Sequence, residues 1–268
     1  MLFEFALQPL EDITPSGKKS DLSLNWYYLT YGFYRMKVGD EYLFQSSEDI
    51  LCHWRKNYPF SHPYPQHEAW MDYIIAHQWN YLLEFLPMIL QPLPEELSRI
   101  LSLDKIQLDK WRHYIIEHFS YEDGRSEAFG WMYGRGIDAG FLNHDSRPDI
   151  NIWSCGDQVC CKWETPTGPD RIPSWTSMKG FYQMPRATFI NEVHSFHNCF
   201  MAAMQERVEA VKKIDWKSKS IRVDLVALER DHADACKRLQ KALNEEISTT
   251  AIDNAMAFLK QAGNNDGL

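Results

Sequence analysis

Hydrophobic and polar residues alternate from the start of the chain. Phe3, Phe5 and Leu7 are separated by Glu4, Ala6 and Gln8, and because successive side chains of an extended backbone leave opposite faces, this period of two predicts a strand with one buried side. Three further strands are expected over 22–28, 33–38 and 41–45, with Gly32 at the first junction and Gly39-Asp40 at the second. A Gly-Asp pair supplies the positive backbone angles of a tight hairpin, so 22–45 reads as a three-stranded meander. From Gln66 the period lengthens. Trp70, Tyr73, Ile74, His77, Tyr81, Leu82 and Phe85 recur at three- and four-residue spacing, which predicts an amphipathic helix that Pro87 ends or kinks.

A shorter helix is expected from Pro94, where Glu95 and Glu96 suit the positive helix start, and another over 108–119. The stretch 126–142 is helical in pattern but interrupted by Gly130, Gly134, Gly136 and Gly140. Ile150 and Ile152 alternate with Asn151 and Trp153 ahead of Gly156-Asp157, and Val159, Cys161 and Trp163 follow. This second hairpin is expected to share a sheet with the first. Proline and glycine mark 164–186 as an irregular connection. Beyond it three helices are predicted, the first capped by Thr188, the second over about 224–247 and the third from Thr249 or Thr250 to Gln261. The fold class is therefore α+β: a small antiparallel sheet of hairpins packed against helices, ending in a C-terminal helical lobe. Residues 1–268 read as a single domain, divisible into a sheet-containing part, 1–184, and a helical part, 185–268.

Composition narrows the function classes. Hydrophobic residues make up 44% and charged residues 24% of the 268, which is the balance of a chain with a core rather than a disordered one. The net charge is −9, with most of the acidic excess in the first 110 residues. Such a field repels phosphate backbones and anionic lipid, so nucleic-acid and membrane partners are excluded and a basic protein partner is favoured. The most apolar stretch, 81–93, is broken by Glu84, Pro87 and Pro92, so no membrane helix is expected. The first residues lack the basic and apolar regions of a leader, and six cysteines are sparse for the length. Both point to a cytoplasmic protein with free thiols.

Candidate chemistry is thin. His194 and His197 lie one helical turn apart near Glu192, which is a ligand spacing, but no third position completes a metal site and a structural role for the histidines is the stronger reading. Glu229 and His232 give one Glu-x-x-His where a di-iron bundle needs two. Cys160 and Cys161 are adjacent and, on a strand, face opposite ways. The Gly134 to Gly140 run does not match a phosphate loop. No catalytic residue and no cofactor is assigned. Rigid aromatics beside carboxylates suit the gripping of a basic surface, and Trp153 with Asp145, Asp149 and Asp157 is the expected contact set, on the ground that Trp153 faces away from Ile152.

Two segments carry a resemblance. Leu2-Phe3-Glu4-Phe5 to Pro9-Leu10, then Leu22 to Trp26, Leu29 to Gly32 and Val38 to Glu41, together with Phe189 to Val193 and Met204 to Val208, resemble a bacterial family of unknown function. In its acidic, aromatic-rich character the chain is also similar to immunity proteins that neutralise toxins. That resemblance implies a non-catalytic binding protein that occludes the active site of a basic toxin; the alternative is a hydrolase, metal-dependent or otherwise, with Glu192, His194 and His197 as the metal candidates.

Overall fold

The computed structural model describes residues 2–18, 21–57, 64–118, 129–132, 134–137, 148–165, 171–216 and 218–263. Along the first half run β1 (Phe3–Leu7), β2 (Ser16–Lys18), β3 (Asp21–Leu24), β4 (Tyr31–Val38), β5 (Glu41–Leu43), α1 (Glu48–Asn57), β6 (Met71–Ile74), α2 (Ile75–Leu90), α3 (Glu95–Ser102) and α4 (Lys105–His118). The second half adds β7 (Gly136–Ile137), β8 (Asp149–Cys155), β9 (Gln158–Glu164), β10 (Lys179–Pro185), α5 (Arg186–Lys212), β11 (Ile221–Val223), α6 (Leu225–Leu243) and α7 (Thr250–Gly263). The molecule is α+β, with helices closing its C-terminal part.

Three small sheets result. In the first, β4 is central: β1 pairs along one edge, with Phe3 opposite Met36, while β6 and β5 divide the other edge, with Tyr31 opposite Ile74 and Met36 opposite Leu43. The second is antiparallel in the order β10-β9-β8-β7. The third joins β2 and β3 antiparallel, and β11 completes it by parallel pairing to β3.

The second sheet separates two hydrophobic clusters, and its period of two decides which residue joins which. Ile150, Ile152, Val159, Cys161 and Trp163 enter the larger cluster with β1, β4, α2 and α5, where Phe3 stacks on Phe196 at 5.1 Å. Trp153 and Cys160, on the opposite face, enter the smaller cluster with Leu97, Leu101, Leu108 and Trp111 from α3 and α4 and Phe258 from α7. Cys160 and Cys161 thus face opposite ways, each into a core, and all six cysteines are free thiols.

Several expectations are corrected. The meander over 22–45 does not form one sheet, because a 3-10 turn at Tyr28–Thr30 diverts the chain and β3 pairs with β2 and β11 instead. The β4-β5 hairpin stands, with Gly39 at φ +63°, but it lies in a different sheet from the β8-β9 hairpin, whose Gly156 has φ +59°. The helix expected from Gln66 starts only at Ile75, since the free edge of β4 captures Met71–Ile74 as a strand; pairing overrides the helical spacing. Pro87 lies within α2, one turn from its end, where the missing donor removes a single helical bond and the Gln91 N–H closes on the Pro87 carbonyl at 3.0 Å. Helix α5 starts at Arg186 after Pro185, so Thr188 is inside it rather than its cap. The connection 164–186 contains β10, and α1 was not anticipated. The helix expected over about 224–247 runs as α6 from Leu225 to Leu243, and Asp224 caps it, its carboxylate accepting from the Ala227 N–H at 2.9 Å.

Candidate protein interface

Among the described residues, strand β10 is the edge of the second sheet and is bonded to β9 alone. Along it, Phe181 is 48% and Tyr182 is 37% exposed. As neighbours on a strand they leave opposite faces, and the structure supports each from beneath. Phe181 lies on the α3 side, its ring centroid 6.1 Å from that of Trp153. Tyr182 lies on the other side, over the turn of the β4-β5 hairpin: a side chain at Gly39 would come within 3.0 Å of its ring. The exposed carboxylates of Asp40 and Glu41 follow directly after Gly39. Two large aromatic rings, one of them with a hydroxyl, packed from beneath and bordered by acidic side chains, therefore stand on a strand with one edge open among the described residues.

The backbone of this edge is anchored at both ends. The Thr165 N–H donates to the Met178 carbonyl at 2.7 Å before the strand, and the Arg186 N–H donates to the Asp157 carbonyl at 2.7 Å after it. Lys179 and Pro185 flank the open stretch, a charge and a missing donor at the positions where an unprotected edge would recruit further copies.

Of the residues expected to form the contact set, the structure does not bring all together. Trp153 has 0% of its surface exposed, and its indole N–H donates to Ser98 Oγ of α3 at 2.8 Å. It faces away from Ile152, as expected, but α3 and α4 cover that side too, so it cannot touch a partner and serves as the floor beneath Phe181. Asp149 and Asp157 are exposed. They stand at opposite ends of the β8-β9 hairpin, separated by a seven-residue strand, or about 20 Å at roughly 3.3 Å per residue. Asp157 flanks the Pro185 end of β10, opposite Gln158; Asp149 shares the far end with Glu164 and Lys179. Asp145 lies outside the described residues.

The histidine group is built for structure. Glu192 accepts the Leu2 N–H at 2.5 Å, holding the start of β1 against α5. His197 is buried with both ring nitrogens engaged, by the Trp79 indole at 3.1 Å and by the Cys236 carbonyl at 3.3 Å, and His194 is partly exposed on the same helix. Among the described residues no three His, Cys, Asp or Glu side chains are grouped to hold a metal ion. Cys236 Sγ lies 3.7 Å from His232 Nε2, but burial raises its thiol above the ordinary range, the opposite of what an activated nucleophile needs.

An open groove of about 600 Å³ runs along β11, lined by Leu22, Ile214, Trp216, Ile221 and Arg222. Its rim mixes both signs of charge and presents no pair of ordered aromatics. Two buried arginines are also structural. Arg207 donates to the carbonyls of Leu29 and Gln8, and Arg135 to those of Trp131 and the Gln91 side chain, while burial draws both guanidinium pKa values down to about 10.

A family model spans residues 2–257. The chain belongs to DUF5984, a family of unknown function. The match covers all three sheets and most of α7, so the exposed edge of β10 lies well inside the part of the chain shared with DUF5984. No curated protein and no solved structure matches this DUF5984 chain. Among the described residues no helix is long and apolar enough to cross a membrane.

Proposed function

We propose that this chain is a non-catalytic protein-binding protein whose contact surface is the β10 edge, and that it serves as a bacterial immunity protein, covering the active site of a basic toxin in the cytoplasm. The observation that carries the reading is the pair Phe181 and Tyr182, 48% and 37% exposed on an open strand edge. Large rings packed from beneath lose little conformational freedom on binding, which is the profile of an interface anchor. Asp40, Glu41 and Asp157 border the strand, with Asp149 and Glu164 further along the hairpin, and the chain as a whole carries −9. Charge of that sign accelerates encounter with a basic partner, while the anchors and the open backbone edge slow its release.

The test is affinity capture from bacterial lysate with the full chain as bait, salt-stepped elution and mass spectrometry. One basic protein, retained stoichiometrically by the wild type and not by a Phe181→Asp/Tyr182→Asp variant, is the expected result. Retention that ignores the double substitution would remove the β10 edge from the reading. Capture of no specific protein would count against the binding role itself.

A further inference from the structure

We propose that His197, with His232 beside it, forms an acid-sensitive latch that fastens helix α6 to α5 and α2 only while both rings are neutral. The proposal is independent of what binds at β10. It begins with hydrogen-bond polarity. The Trp79 indole nitrogen of α2 lies 3.1 Å from His197 Nδ1, and an indole N–H can only donate, so Nδ1 accepts and carries no proton. Nε2 lies 3.3 Å from the carbonyl of Cys236 on α6. A carbonyl can only accept, so Nε2 carries the proton. A single neutral tautomer satisfies both contacts, and one ring, 5% exposed and stacked 5.8 Å from that of Trp79, ties three helices.

A second proton on His197 would set N–H against N–H at Trp79 and leave a charge in the interior. The surroundings do not compensate. On α5 itself the neighbour is His194, whose charge opposes protonation. From α6 come Arg238, its guanidinium 5.6 Å from the Trp79 ring centre, and His232, 6% exposed, with Nε2 3.7 Å from Cys236 Sγ and, among the described residues, no hydrogen-bond partner at Nδ1. From α2 come Asn80, whose side-chain carbonyl accepts from Arg238, and Glu84, which lines an open groove with Arg238, Lys241 and Glu245 at the end of α6. Among the described residues no carboxylate is bonded to either histidine; Glu192, on the same helix, is held by the Leu2 N–H. The two rings flank Cys236, one on its carbonyl and one on its thiol, so their charges would arise in one junction.

The sign follows from the burial of both rings, which lowers each below the ordinary value of 6.5. Above that value the folded and unfolded chains are both neutral at these sites. As pH falls below it, the unfolded chain takes up protons that the junction refuses, and the opening equilibrium gains up to about tenfold per pH unit for each histidine until the folded form protonates. Undocking of α6 relieves both rings without disturbing the sheets, so a local opening precedes global unfolding.

Hydrogen exchange by mass spectrometry on the full chain tests the latch, comparing wild type with His197→Gln, which keeps an acceptor and a donor but cannot titrate. Peptides from Leu225–Leu243 should exchange faster in the wild type than in the variant by up to about tenfold near pH 5.5, and equally near pH 7.5. Peptides from Asp149–Glu164 should show no such difference. Equal exchange at both pH values, or an acid effect spread evenly over the chain, would overturn the latch. Should His197→Gln fail to fold, nitrogen chemical shifts of the wild-type imidazole decide the matter. An unprotonated Nδ1 down to below pH 6.5 is expected; a protonated Nδ1 in the neutral ring, or titration at or above that value, would refute it.

Discussion

Gly180 has space for a hydrogen and little else, because the Trp163 indole lies where a side chain would start, 2.1 Å from the Cβ position. That indole is itself fixed, its N–H donating to Ser177 Oγ at 2.9 Å. Gly180→Ala is therefore expected to cost about 1–3 kcal/mol, the usual penalty for overpacking, read as a lower urea midpoint at unchanged slope. Trp153→Phe trades the buried indole for a smaller ring and removes the donor to Ser98, leaving both a void and a buried hydroxyl with one partner fewer, and should cost about 2 kcal/mol or more by the same measurement. Phe181→Asp, at a residue 48% exposed that packs on Trp153, should cost about 1 kcal/mol in lost strand propensity and ring packing and leave the fold intact. The alternation around Trp153 was legible, since it and Ile152 do point to opposite faces. What a strand pattern cannot contain is whether the second face is covered. The helices that cover it, α3 and α4, lie about fifty residues earlier and show no sequence sign of where they dock.

At the scale of elements, local signals succeeded where local forces decide. The β8-β9 turn at Gly156 and the β4-β5 turn at Gly39 are each set by a residue whose own conformation makes the feature. Two of the failures share one cause, pairing at a distance. Met71–Ile74 reads as the start of a helix until β4 offers an edge, and Lys179–Pro185 reads as irregular until β9 does. Since the candidate interface is built on β10, missing that strand hid Phe181 and Tyr182 as well. Arg207 of α5 is another long-range device, its guanidinium joining the carbonyls of Leu29 and Gln8. Arg207→Met should destabilise by about 1.5–3 kcal/mol for each charge-assisted bond lost. Thermal unfolding followed by circular dichroism measures it, and an unchanged midpoint would show that the two carbonyls find other donors.

Over the whole molecule, His77, His197 and His232 all have their pKa lowered by burial. Each is depressed below 6.5, so the unfolded chain binds more protons once pH falls under that value, and stability rises with pH through the window just beneath it. Urea titrations across this range should show a falling midpoint on acidification, and a flat profile would mean the rings protonate freely in the fold. The charge field acts at this scale too. An excess of −9 should make the association rate with a basic partner fall steeply with salt while the dissociation rate changes little. The central claim concerns the edge of β10, and calorimetric titration of the captured partner into wild type and Phe181→Asp tests it most directly. An anchor ring should be worth at least about 2 kcal/mol, so affinity should drop by roughly thirtyfold or more. A dissociation constant that the substitution leaves unchanged would contradict the assignment of this edge as the interface.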